Sequence, residues 1–161
     1  MDQEALETLG TIIATQRWVA LATSNKDHTP LVSQVAIAGV AGQPELLMHL
    51  SLLAKHTRNL LDRPACSISM SEPDDGRADP QTLARVALTG TASVLEPGTT
   101  EFEQARAHYL RRLPDAEPRF DFGDFRLVNV RVANGQYVGG FARAFKVSAA
   151  DLAAVQAEAP L

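Results

Sequence analysis

At 161 residues, 45% of them hydrophobic, the chain can bury one good core, and a single domain over residues 1–161 is expected. A formal net charge of −4 and a pI near 5.5, with no uncompensated basic block, argue against a nucleic-acid surface. The lone Cys66 has no partner for an internal disulfide, no apolar run is long enough to span a bilayer, and Asp2, Glu4 and Glu7 stand where a signal peptide needs cations; a cytoplasmic protein with no membrane partner is the expectation.

The first predicted element is a helix over 2–15, with Leu6, Leu9 and Ile13 on one stripe. Residues 18–23 read as a strand closed by the turn-rich 24–30, and 31–38 as the next strand, ended by Gly39 and Gly42. A short apolar run then begins at Leu46 and reads as a buried strand. At Ser51 the pattern changes: Leu53, Leu60 and Leu61 recur at helical spacing, with Lys55, His56, Thr57 and Arg58 crowded into the first turn. Free N–H groups, the positive end of the helix dipole and the two cations would favour an anion there, phosphate above all. The other reading is a solvated first turn whose polar residues cap the helix. On this segment alone both stay open.

The Cys66 run, 65–70, is a strand with the thiol as a small core residue. Residues 71–81 form a loop whose Asp74, Asp75 and Asp79 read as solvated turn carboxylates. Residues 83–95 return to strand, with Gly90 as a bulge or kink. Thr100 followed by Glu103 resembles a capping box for a helix running toward Leu113. The run 125–132 alternates as a long strand, Asn134 and Gly135 supply a type I′ hairpin signal, and 137–141 is the expected return strand. Ser148 with Asp151 starts a last, alanine-rich helix.

Six or seven strands joined by short turns, with helices only in connections and at the ends, predict a mainly β fold: an antiparallel β-barrel with peripheral helices. No G-x-G-x-x-G follows the first strand, so a dinucleotide fold lacks its phosphate loop. His28, His49, His56 and His108 show no ligand spacing and no cysteine accompanies them, so no metal site is expected. His28 and His108 are expected at the surface, and His49 as a hydrogen-bonded core or rim residue. Nothing around Ser33 in sequence suggests a nucleophile.

Four segments carry a family resemblance: Pro30-x-x-Ser33-x-Val35; Leu50-Ser51 with Ala54-Lys-His-Thr57 and Asn59-Leu60; Arg85-x-x-Leu-Thr-Gly90; and Tyr137-Val-Gly-Gly-Phe-Ala-Arg-Ala144. Together they resemble the pyridoxamine 5′-phosphate oxidase-like FMN-binding split barrels, and most of all the haem-utilisation branch, over a core of about 18–147. The resemblance implies FMN at the interface of a homodimer. It would place Ser51, Lys55, His56 and Thr57 on the phosphate, Ser33 and Val35 on the ribityl chain or ring, and Arg85 as a polar residue reaching the cofactor. Charge-assisted bonds from cations suit that phosphate.

Gly139 and Gly140 allow close approach, after which Phe141 and Arg143 alternate to one face. That face either borders the cofactor, with Arg143 on flavin or an anionic substrate, or is a bent strand with Arg143 in a surface ion pair. Two departures stand out. The Trp/Arg-containing C-terminal segment of true pyridoxamine phosphate oxidases does not appear, and the last histidine is His108, whereas some haem-utilisation relatives supply a haem-ligating histidine from their C-terminal region. The expected function is an FMN-dependent oxidoreductase acting on an unknown small molecule, with FMN preferred over FAD and riboflavin. The alternatives are a haem-binding or haem-degrading protein on the same barrel and a non-catalytic flavin-binding dimer. Any redox chemistry would belong to the flavin.

Overall fold

The computed structural model of the chain describes residues 1–140 and 143–158. Helix α1, Gln3–Thr15, is capped by Asp2, whose carboxylate accepts from the Ala5 N–H at 2.9 Å. Strands β1 (Trp18–Ser24), β2 (Pro30–Ala36), β3 (Ala38–Gly39) and β4 (Glu45–Ser51) follow, and then helix α2 (Lys55–Asp62). Next come β5 (Ala65–Ser71), β6 (Ala84–Val94), α3 (Thr100–Arg112), β7 (Phe125–Gly139), β8 (Ala144–Ser148) and α4 (Ala149–Glu158).

The strands form one eight-stranded sheet in the order β2-β1-β5-β6-β7-β4-β3, with β8 also on β7, and every pairing is antiparallel. β2 and β3 lie at opposite ends of that order, yet Ile37 alone separates them in sequence. The sheet must therefore roll until its two ends come together. This is the expected mainly β barrel with peripheral helices, with eight strands where six or seven are expected, because the short β3 and the β8 return are not among those counted from the sequence.

Period-two alternation sends Val19 and Leu21 of β1, Cys66, Ile68 and Met70 of β5, and Val86 and Leu88 of β6 into the barrel. Leu9 and Ile12 of α1 and Leu152 of α4 join that core. β4 does not alternate, because it is covered twice: Leu46 and Met48 face the barrel, while Leu47 packs with Tyr109 and Leu127 in a second cluster that includes α3 residues. That double burial explains the continuous apolar run in the sequence.

Several expectations need correcting. Asn134 and Gly135 make no hairpin, because β7 runs straight through them. Gly135 pairs with both Leu88 and Val147, and a Cβ there would lie 2.7 Å from the Ala87 carbonyl oxygen. The glycine permits close approach of strands rather than a turn. Residues 137–139 accordingly continue β7 instead of returning. The reversal comes at Gly140 (φ +87°), where the Gly139 N–H donates to the Arg143 carbonyl at 2.8 Å and leads into β8. Phe141 lies outside the described residues, and so does its expected alternation with Arg143.

The β6–β7 register shifts between Thr89 and Gly90, as expected for a bulge. The cap of α3 is Thr99, one residue before the expected Thr100, and its hydroxyl accepts from the Phe102 N–H. The segment after α3 holds an unforeseen 3-10 helix, Pro114–Asp121. The leucine stripe assigned to the helix near Leu53 is also wrong. Leu53 precedes α2 and is 77% exposed, Leu61 is 52% exposed, and the buried residues of α2 are Thr57, Asn59 and Leu60.

Candidate functional site

β4 delivers the chain to the end of the barrel at Ser51. The Ser51 hydroxyl donates to an Asp124 carboxylate oxygen at 2.5 Å and accepts from the Leu53 N–H at 3.1 Å, while the Leu52 N–H donates to the Asp124 carbonyl. These bonds fix the turn that launches α2. The helix is then tied to the end of β1 by Asn59, whose buried amide donates to Thr23 at 3.1 Å and to Asn25 at 3.0 Å.

The first turn of α2 is not self-capped. Its N-cap residue is Ala54, which has no side-chain acceptor, so the polar residues that follow do not serve as caps. Thr57 is fully buried and its hydroxyl has no partner among the described residues. Lys55 and Arg58 are exposed, and no carboxylate pairs with either within 4.0 Å among the described residues. The half-buried His56 makes no hydrogen bond to a described residue, and burial lowers its pKa, which keeps the ring neutral at pH 7. One short helix thus presents uncapped N–H groups, two unpaired cations and an open imidazole, with Leu53 and Leu61 exposed beside them. The chemistry suits an anionic ligand with apolar surface.

The eight residues singled out from sequence do not all converge. Ser51, Lys55, His56 and Thr57 meet at the α2 end, although the Ser51 hydroxyl is engaged by Asp124. Ser33 and Val35 lie mid-barrel on β2, paired with Leu21 and Val19, and Val35 is buried in the core. Arg85 lies at the far end of the sheet, donating to the carbonyls of Gln81 and Leu83. It borders a cavity of about 470 Å³ shared with Trp18, Gln34 and Ser69. Arg143 is also distant from α2; it clamps the β7–β8 hairpin to α1 through Asp2 at 2.9 Å and Glu4 at 2.8 Å. β5 and β6 run in register from Ala65↔Thr91 near α2 to Ser71↔Arg85, so the two ends lie roughly 20 Å apart at about 3.3 Å per residue.

The other histidines are committed elsewhere. His108 is not a free surface residue: Arg111 donates to its Nδ1 at 2.7 Å, and its Nε2 in turn donates to the Gly39 carbonyl at 2.7 Å. His49 stacks on Phe120 at 3.8 Å with its Nδ1 buried and unpartnered, so the expected hydrogen bond is missing. Asp74 accepts from the Gly76 N–H, Asp75 binds Arg77, and Asp79 caps a 3-10 turn. Sequence reasoning quoted Ala54 and Asn59 only as motif positions, with no role for either, and passed over Asp124. Asp124 lies 73 residues from Ser51 and leaves no local signal.

No helix among the described residues is long and apolar enough to cross a membrane. The family model described as CREG, beta-barrel matches residues 3–153. The haem oxygenase HutZ of Vibrio cholerae is 31% identical over 140 residues, 85% of this chain and 77% of that protein. A chloroplastic haem oxygenase, HOZ of Arabidopsis thaliana, is 35% identical over 102 residues, 62% of this chain. Among solved structures, a haem-binding protein of Mycobacterium smegmatis superposes with a TM-score of 0.82 at 31% identity over 96% of this chain. The chain spans only 29% of the Arabidopsis protein and 62% of the mycobacterial one. A Clostridium acetobutylicum protein of the pyridoxinephosphate oxidase family shares the fold alone, with a TM-score of 0.70 at 12% identity over 94% of this chain and 99% of that one. With the family model matching residues 3–153 and the sheet rolled into a barrel, the chain belongs to the CREG β-barrel family.

Proposed function

We propose that this barrel binds haem, with α2 as its anchor and two copies of the chain forming the site. The observation that carries this reading is the donor set on α2. A haem asks for a nitrogen donor, cations for its propionates and apolar cover for its ring. The helix and its lead-in offer His56, the unpaired Lys55 and Arg58, and the exposed Leu53 and Leu61. The relatives named as haem oxygenases or haem-binding proteins support the same choice. When bound, the haem iron supplies the redox chemistry; the protein holds the propionates, orients the ring and limits water.

FMN is the second reading, and one observation favours it. The uncapped first turn, with the buried, unpartnered Thr57 hydroxyl, suits a terminal phosphate. On that reading the chain is a flavoprotein of the pyridoxamine phosphate oxidase-related type, either an oxidoreductase or a carrier.

Parallel titrations of the purified chain with ferric haem and with FMN test the two. Haem binding is read from the Soret band and flavin binding from quenched fluorescence. Tight haem uptake, weakened by Lys55→Ala or Arg58→Ala and by added salt, is the expected result. Saturable FMN binding with no haem uptake would replace the first reading with the second.

A further inference from the structure

Resting on the haem-binding reading, we propose that His56 supplies the nitrogen that ligates the haem iron. Iron needs a lone pair on a side chain that the macrocycle can reach, and the structure removes the other candidates one by one. His108 has both ring nitrogens engaged, by Arg111 and by the Gly39 carbonyl. His49 is stacked face to face on Phe120 at 3.8 Å with Phe125 and Tyr109 around the same ring, which leaves no face for a macrocycle, and its Nδ1 is sealed from solvent. Cys66 is buried in the barrel, where desolvation pushes the thiol up to about 11 and leaves no thiolate at neutral pH. Met1 packs against the barrel core, and Met48, Met70, Tyr109 and Tyr137 are all buried.

His28 is open, but it is fully on the surface, in a turn at positive φ between the equally exposed Asp27 and Thr29. His56 differs on each count. It is half-buried, neither of its ring nitrogens is among the sealed, unpartnered atoms, and no described residue hydrogen-bonds them. Lys55 and Arg58 stand on the same first turn, and the exposed Leu53 lies three residues before it. The backbone beneath is held by Asn59 and by the Ser51–Asp124 bond, which sets the position of the ring.

The full chain, His56→Ala, His56→Gln and His28→Ala are titrated with ferric haem, each variant first being matched to the wild type by circular dichroism. The Soret band is recorded, and after reduction the iron–histidine stretching mode is measured by resonance Raman. The expected result is that His28→Ala matches the wild type. Both His56 variants lose the histidine mode, bind haem at least tenfold more weakly, and regain a histidine-like spectrum when imidazole is added. In the unmutated chain, bound haem should also protect His56 from modification by diethyl pyrocarbonate, read by mass spectrometry. A wild type that takes up no haem overturns the haem reading itself. Haem uptake with an unchanged spectrum in the His56 variants, or with His56 modified equally in the presence of haem, overturns only the assignment of the ligand.

Discussion

Phe120 stacks on the imidazole of His49 at 3.8 Å, Phe125 and Tyr109 close round it at 5.0 and 6.1 Å, and burial, with the nearby Arg119, pushes its pKa down to about 4. The ordinary value, 6.5, applies to the unfolded chain, which therefore takes up this proton first as pH falls. The contribution is complete above pH 6.5, declines between 6.5 and 4, and is constant below 4. His49→Phe should flatten the unfolding midpoint between those pH values, measured by urea denaturation; an unchanged slope would show that other groups set the acid limit. The sequence shows that His49 interrupts an apolar strand, and nothing in it shows the aromatic cage, because Phe120 and Tyr109 arrive from α3 and the unforeseen 3-10 helix. The same holds for Ser51, legible as a strand end, whose partner Asp124 is invisible without the fold.

At the scale of elements, α2 is an incomplete helix that a ligand can complete. Its N-cap position holds Ala54 at φ −73° and ψ 139°, a conformation in which aspartate or serine would cap well. Ala54→Asp should stabilise the protein by about 1 kcal/mol. It should also weaken haem or FMN binding, because the new carboxylate takes the N–H groups and repels an anion. Thermal denaturation and ligand titration on the same preparation separate the two effects, and tighter binding in the variant would remove α2 from the site.

Gly90 makes a second case. A Cβ there would stand 2.5 Å from the Arg131 carbonyl oxygen, which is backbone and cannot swing aside. Gly90→Ala should cost at least about 2 kcal/mol by breaking the β6–β7 bulge, and a midpoint like the wild type's would contradict that crowding. The sequence marks Gly90 correctly because a glycine inside a β-branched run has few other uses. It misleads at Asn134 and Gly135, where the residue types of a tight turn serve instead to let three strands crowd together. Local chemistry is the same in both roles; only the long-range pairing tells them apart.

At the scale of the whole molecule, the difficulty is that one chain cannot gather its candidate residues. The α2 set and Arg85 lie at opposite ends of a β5–β6 ladder roughly 20 Å long, and no ligand of haem or flavin size on one copy touches both comfortably. A two-fold pairing of copies can bring one chain's α2 end beside the other's Arg85 end, which a single chain cannot do. The outer sheet face suits such a pairing. The row Gln34, Ala20, Ser69, Ala87 crosses four strands with small or uncharged side chains, and on the same face Trp18 and Val32 are 62% and 64% exposed. A second sheet laid on this face would cover the two apolar side chains and the cavity that Trp18, Gln34, Ser69 and Arg85 line. The purified chain should therefore scatter light with twice its 17.3 kDa mass. Ala87 is exposed, so Ala87→Arg leaves the monomer's core intact while adding a guanidinium to that face. The variant is expected to run as a folded 17.3 kDa monomer with ligand affinity reduced at least tenfold. A wild-type monomer that binds haem or FMN fully at micromolar concentration would mean that one chain suffices, and that Arg85 has no part in the site.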